Sequence, residues 1–276
     1  MAGELERVRK ALRELGKSLE SLHGESAPND VHKLRTASRR VEAIAGVLQA
    51  AGGKKSRRLV KSIEPVRKTA GGVRDMDVLL ADARKLARYR GGASLTRLIA
   101  HLETVRQQNA EALQHALHHR RKSVLEDLKE YSKFVASAAK HAQSGQHADE
   151  KASRAQEEIH TSAMNLMREL GDWTPLDAEN LHAFRLKVKQ LRYTLQLDEQ
   201  ADSGLLEALG DVQRRIGDWH DWRQLEQIAR QVLLLEEDRA LLERIGETVK
   251  RRFDRALTSA NALRGKYLNI PPAMGA

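Results

Sequence analysis

The sequence contains no cysteine in 276 residues. That removes disulfides, thiolate metal sites and cysteine nucleophiles, and it fits a reducing compartment, so the cytoplasm is the expected location. Proline is scarce at 5 residues and aromatic residues make up only 4%. Leu, Ala, Arg, Glu and Lys dominate, and no run alternates as a strand would, which is the composition of an all-α protein. No apolar stretch approaches the roughly 18 residues needed to span a bilayer. The start, Met1-Ala2-Gly3-Glu4-Leu5-Glu6, lacks a basic lead followed by an apolar core, so neither membrane insertion nor export is expected. Also missing are a Gly-x-x-x-x-Gly-Lys-Ser/Thr loop, a Gly-x-Ser-x-Gly elbow and a carboxylate cluster able to hold magnesium. Phosphoryl-transfer enzymes typically need that metal, so the expectation is binding without catalysis.

What is present is positive charge. The formal net charge is +10 with a pI near 9.9, although 38 acidic residues remain. A basic surplus favours an anionic partner such as nucleic acid, an acidic membrane or a phosphate polymer, depending on where it clusters. It clusters in an internal echo. Val31-His32-Lys33-Leu34-Arg35-Thr36-Ala37-Ser38-Arg39-Arg40 returns in altered form as Leu181-His182-Ala183-Phe184-Arg185-Leu186-Lys187-Val188-Lys189-Gln190-Leu191-Arg192-Tyr193. On a helix, His32, Arg35 and Arg39 lie within about 60° of one another, and His182, Arg185, Lys189 and Arg192 repeat the strip. Like charges three and four apart cost an isolated helix roughly 0.2 to 0.5 kcal/mol per pair, a liability that an anion would remove.

Taken in order, Leu5, Val8, Leu12, Leu15, Leu19 and Leu22 predict an amphipathic helix over Glu4 to Leu22, ended by His23-Gly24. Ser26 to Asp30 supply an N-cap for a helix from Val31 to Ala50, which would put His32, Lys33 and Arg35 near its positive end, a site for anions. After Gly52-Gly53 a third helix carries a second basic stripe, Lys54, Arg57, Lys61 and Lys68, broken by Glu64. Pro65 should kink it and Gly71-Gly72 should stop it, with Asp75 capping a further helix from Met76 to Arg90. From Leu95 to Ala139 no Gly or Pro interrupts one long helix or two end to end. The small polar stretch His141 to Ala148 divides the chain into repeats 1–142 and 149–269. The second repeat restarts the order: Asp149 to Leu170, a helix capped by Asp177 that carries His182, Gly204 to Ile216, Trp222 to Glu237 and Asp238 to Leu268. Two bundles of four or five antiparallel helices follow.

Two constellations invite catalytic or metal readings. Neither His32 nor His182 has a second His one helical turn away, and beside His115, His118 and His119 the cations Arg120, Arg121 and Lys122 would repel a metal, so none is expected. Gly71-x-x-Arg74-Asp75 and Gly217-x-x-His220-Asp221 read as a left-handed helix end followed by a cap, which needs no chemistry.

His32-x-x-Arg35-x-x-x-Arg39 with Gly71-x-x-Arg74-Asp75-x-Asp77-Val78, then His182-x-x-Arg185-x-x-x-Lys189-x-x-Arg192-Tyr193 with Gln213-x-x-x-Gly217-x-x-x-Asp221, resemble the CHAD family, the conserved histidine α-helical domain. The resemblance covers nearly the whole chain. It implies two pseudo-symmetric four-helix bundles whose facing basic surfaces form a groove for inorganic polyphosphate, with no cofactor. His32, Arg35, Arg39, His182, Arg185, Lys189, Arg192 and Tyr193 would line that groove, joined by Lys61 and Lys68. Arg40, Lys54, Arg57, Arg74 and Arg214 complete the implied polyphosphate-binding set. With no strands of alternating Glu and Lys, the chain resembles the stand-alone members, which are associated with polyphosphate or storage granules. It departs from internal symmetry where Glu42 takes the place of Arg192, Glu207 that of Lys61, and Gln200 and Ser203 those of Lys54 and Arg57. The stronger side should therefore be the Lys54 to Lys68 helix. The alternative is sequence-independent nucleic-acid binding by the same stripes, disfavoured by three Trp, four Tyr and three Phe, too few for a stacking platform.

Overall fold

The computed structural model describes residues 2–22, 27–47, 49–89, 92–143, 148–196 and 201–268. Among them are eight α-helices and no strand: α1 Ala2–Ser21, α2 Pro28–Val47, α3 Gln49–Lys85, α4 Gly92–Gln143, α5 Ala148–Gly171, α6 Leu181–Leu195, α7 Ser203–Val232 and α8 Arg239–Leu263. The fold is all-α, as the composition required. The expected stop at His23-Gly24, the cap at Ser26 and the residues Gln200 and 269–276 lie outside the described residues. Two compact units result, residues 1–90 with 96–148, and residues 91–95 with 149–276.

The first unit is built on leucines at helical spacing. Leu12, Leu15 and Leu19 of α1 and Val31, Leu34 and Val41 of α2 are buried with Leu59, Ile63, Val66 and Val73 of α3 and Leu113, Leu117 and Val124 of α4. Because one face of each helix is apolar, side-by-side packing removes it from water, at roughly 25 cal/mol for each Å² buried. In the second unit Leu181, Phe184, Val188, Leu191 and Leu195 form the inward face of α6 and pack with Leu209, Val212 and Ile216 of α7 and Ala256 and Ala260 of α8. That inward face leaves the histidine-led stripe of α6 pointing away from the core.

Several boundaries differ from those expected. Helix α2 starts at Pro28, whose missing amide is no loss in a first turn, and Asp30 lies in that turn, paired with Lys33 at 3.2 Å. His32 and Arg35 therefore sit beyond the exposed amides, and the reading of them as flanking a helix-end anion site falls. A break does occur at Gly53, which has φ of 48°, a conformation open to glycine at little cost. At Pro65 the backbone keeps helical dihedrals, and Thr69 Oγ1 donates to the Pro65 carbonyl at 3.0 Å. The larger correction concerns the paired glycines. Helix α3 runs straight through Gly71-Gly72, and α7 runs straight through Gly217. Each pair of helices expected in these regions is one long helix.

At the start of α6 the N-cap position is Asn180, without a side-chain cap bond, and not the expected Asp177, because the helix begins only at Leu181. Asp177 Oδ1 accepts from the amides of Glu179 at 2.8 Å and Asn180 at 2.9 Å, closing the turn that leads into α6. Asp202 Oδ1 accepts from Gly204 and Leu205 and caps α7. No helix among the described residues is long and apolar enough to cross a membrane.

Candidate functional site

The glycines that were expected to end helices instead receive arginines. In the first unit Arg35 of α2 crosses α3 so that its Nε would stand 3.7 Å from a Cβ at Gly71. Its Nη2 reaches Asp75 Oδ1 at 3.3 Å. In the second unit Arg185 of α6 crosses α7 at the matching place, with Nη2 only 2.9 Å from where a Cβ of Gly217 would be. Its Nε donates to the Gln213 carbonyl at 3.0 Å. Gly72 meanwhile faces Asn109 of α4, whose Nδ2 donates to the Gly72 carbonyl at 3.3 Å. A Cβ at Gly217 would enter space held by the Arg185 guanidinium and one at Gly72 would press on Asn109, which accounts for glycine mid-helix there despite a cost of about 1 kcal/mol relative to alanine, whereas at Gly71 the contact with Arg35 would be an ordinary one. Asp75 is thus an arginine partner and not a helix cap.

A second matched position carries the opposite charge. Arg67 of α3 donates from Nε to Glu42 Oε1 of α2 at 2.6 Å. Its counterpart has Arg192 on α6 donating from Nη1 to Gln213 Oε1 on α7 at 3.3 Å, with the Arg192 chain lying over Gly210. The cation has moved from one helix to the other while the bridge remains.

Of the residues anticipated from the sequence, the first unit brings Arg35 and Arg74 near enough to His32 for their charges to act on it, while helical spacing puts Arg39 on the arc of α2 that carries His32 and Arg35. Lys54 and Arg57 continue the α3 stripe toward Gly53. Taking 100° per residue, Lys54, Arg57, Lys61, Lys68, Gly71 and Asp75 share an arc of about 100°, so the stripe and the arginine-crossed glycine are one face. Lys68 is bound to Glu64 at 2.7 Å, whereas Lys54, Arg57 and Lys61 are exposed and make no ion pair among the described residues. Arg40 does not join them. It stands on another side of α2 and donates to Glu14 Oε2 of α1 at 2.7 Å, because it lies about 140° around the helix from Arg35.

The second unit places His182, Arg185, Lys189 and Arg192 on one side of α6, with Tyr193 beside them at 44% exposure. Arg214 is exposed on α7 but engaged by Asp211, which also holds Arg215 and accepts from Ser259 Oγ. A cleft of about 990 Å³ lies among α6, α7 and α8, bounded by Arg185, Arg192, Arg214, Lys266, Asp211 and Tyr267 among others. Arg192 Nε is buried in it without a hydrogen-bond partner.

Both histidines are held below their ordinary range. For His32 the cause is partial burial, then the positive charges of Arg74 and Arg35. For His182 it is partial burial, then His220, Arg185 and Lys189. Each is thus biased toward the neutral ring. His220, Asp75, Arg67 and Gln213 were not in the anticipated set. Their signal was spacing, since Gly71 and Asp75 extend the 3-4 series of the α3 stripe, as Gly217 and Asp221 extend that of α7. No group of three or more His, Asp or Glu suited to a metal ion occurs among the described residues.

No curated protein matches the chain. The chain is similar in structure to the crystal structure of the CHAD domain from the plant Ricinus communis, with a TM-score of 0.66 at 18% identity over 94% of this chain and 89% of that one. At such identity the likeness concerns the fold. The sequence model of the CHAD domain matches residues 6–230, a span that includes both histidine-led helices and both arginine-crossed glycines, and the chain belongs to the CHAD domain family.

Proposed function

We propose that this protein binds inorganic polyphosphate, without turning it over, through the basic faces of α2–α3 and α6–α7. The observation that carries the reading is the repeated unit of an arginine laid across a helical glycine beside a histidine, with further cations in line. The family is associated with polyphosphate, and the chemistry fits such a ligand. Arginine forks match pairs of phosphoryl oxygens, and lysines supply point charges on flexible stems. The ligand has no bases, so a face poor in aromatics is no handicap. Lys54, Arg57 and Lys61 repeat one sign along α3 without acidic partners among the described residues, and a polyanion would relieve that repulsion.

Three lysines and arginines on α3 without counter-charges, against one engaged Arg214 on α7 with Glu207 in the place of Lys61, make the first unit the stronger binder. Replacing Arg35, Arg39, Arg185 and Lys189 together with Ala leaves helicity intact and removes binding of long-chain polyphosphate, read by titration calorimetry and circular dichroism. Unchanged affinity in that variant overturns the assignment. Affinity falls steeply with salt through counterion release, as for other phosphate backbones. A stoichiometry of one polymer per chain means that one polymer engages both faces, as in the groove implied by the resemblance, and two short polymers per chain mean independent faces. If DNA or RNA displaces polyphosphate at equal phosphate concentration, nucleic acid is the better ligand. Recruitment of a tagged chain to polyphosphate granules tests the cellular side of the same proposal.

A further inference from the structure

We infer that His220 is a further anion-binding residue, the counterpart in the second unit of Arg74 in the first, and that the stacked His182–His220 pair takes up a proton when a phosphoryl group binds. This rests on the polyphosphate reading above and adds to it a way in which the two units differ.

The positions correspond. Arg74 lies three residues after Gly71 and one before Asp75, and His220 lies three after Gly217 and one before Asp221. Arg74 acts on His32 through its charge. His220 meets His182 directly, with ring centroids 4.4 Å apart and planes inclined by 32°. Two imidazoles that close resist carrying two positive charges, because nothing between them screens the repulsion. The surrounding groups add to it. From α6, Arg185 and Lys189 both act on His182. From α7, the Asp221 carboxylate stands 3.9 Å from His220 Nδ1. Asp218 on the same helix is occupied by Arg252 of α8 at 2.7 Å, and Arg223 donates to the Ala178 carbonyl ahead of α6 at 2.8 Å. His182 Nδ1 is buried without a hydrogen-bond partner.

A phosphoryl oxygen arriving at this face changes the balance. Its negative charge offsets the repulsion within the pair, and a protonated imidazole offers it an additional N–H donor. The proton comes from solvent and goes to a ring nitrogen, and no covalent bond to phosphorus is made or broken. Arg74, always charged, makes no such exchange. The first unit therefore holds polyphosphate with a charge at this position that is independent of pH, and the second holds it with one that solution acidity sets.

The test uses the full chain and long-chain polyphosphate, whose internal phosphoryl groups keep their charge between pH 5.5 and pH 8. Titration calorimetry in buffers of different ionisation enthalpy counts the protons taken up on binding. The wild type takes up about one proton more than His220→Arg, and its affinity gains up to about tenfold per pH unit for that proton as pH falls. The reciprocal variant Arg74→His gains proton uptake in the first unit and guards against a fold defect peculiar to the second. Equal uptake in wild type and His220→Arg, with binding retained, overturns this inference and leaves the polyphosphate reading standing, as does Arg74→His with no added uptake. Absence of binding at every pH overturns both.

Discussion

Replacing Gly71 and Gly217 by alanine, one at a time, should give opposite results. Both glycines lie inside long helices, where alanine is better than glycine by about 0.5 to 1 kcal/mol. A methyl group at 71 would meet Arg35 Nε at 3.7 Å, an ordinary contact. Gly71→Ala therefore keeps the full gain, raising Tm by a few degrees at about 2 to 4 °C per kcal/mol, and leaves polyphosphate affinity unchanged. At 217 the methyl would meet Arg185 Nε at 3.4 Å and Cζ at 3.5 Å only in ordinary contacts, but it would stand 2.9 Å from Nη2, which must give way and turn the planar guanidinium with it. That breaks its hydrogen bond to the Gln213 carbonyl, and a bond from a charged donor contributes about 1.5 to 3 kcal/mol. Set against the helix gain, Gly217→Ala loses about 0.5 to 2.5 kcal/mol, the lower end applying if the freed guanidinium reaches water. It should also weaken polyphosphate binding, since the arginine no longer lies where the stripe needs it. Thermal unfolding followed by circular dichroism, with calorimetric titration of the same samples, reads both quantities. Had these glycines closed their helices in the left-handed conformation, alanine would cost about 1 to 2 kcal/mol at both positions. A destabilised Gly71→Ala would refute the reasoning.

Further outcomes follow from the same contacts. His32 and His182 have folded-state pKa values below their ordinary range, so the unfolded chain binds more protons just below about pH 6.5 and the ligand-free protein loses stability as pH falls through that window. Melting curves at pH 7.5 and pH 5.5 check the sign, and added polyphosphate should narrow the gap. Gly171→Ala would place a methyl 2.5 Å from the Leu268 carbonyl oxygen, a backbone atom that cannot step aside, and should cost about 1 to 3 kcal/mol in chemical denaturation. Glu42→Ala leaves Arg67 half-buried without its carboxylate, a loss of about 1 to 3 kcal/mol. The double change Glu42→Arg with Arg67→Gln, which copies the Arg192–Gln213 arrangement, should recover most of it. Lys54, Arg57 and Lys61 changed together to Ala should weaken polyphosphate binding and flatten its salt dependence more than Arg214→Ala, whose guanidinium is already engaged by Asp211.

The all-helical fold and the histidine-led stripes were legible in the sequence because both depend on local periodicity. A leucine every three or four residues decides which side of α1 or α6 turns inward, and the basic side follows by default. What the glycines do was not legible. Gly71 and Gly217 look like helix ends to any local rule, and the arginines that lie beside them are supplied by a neighbouring helix. The clue available was that Asp75 and Asp221 continue the stripe spacing without a change of phase, which a true break between helices would rarely preserve. Arg40 was misplaced for the converse reason. It adjoins Arg39 in sequence, but a turn of the helix carries it to Glu14. The bridge between Glu42 and Arg67, and its altered form at Arg192 and Gln213, depend on inter-helix packing, which no single-helix pattern encodes.

The unbroken run of α3 past Gly71 has a mechanical consequence. From Gly53 onward nothing in this helix offers a joint, so Lys54 and Lys68 stand at fixed stations about 21 Å apart along a stiff rail. A ruler of this kind cannot bend to suit its cargo. On the polyphosphate reading proposed above, the accommodation would fall to the polymer, whose freely turning phosphoanhydride links would settle onto the rail one after another, and chains too short to reach from one end to the other would forfeit the remaining contacts.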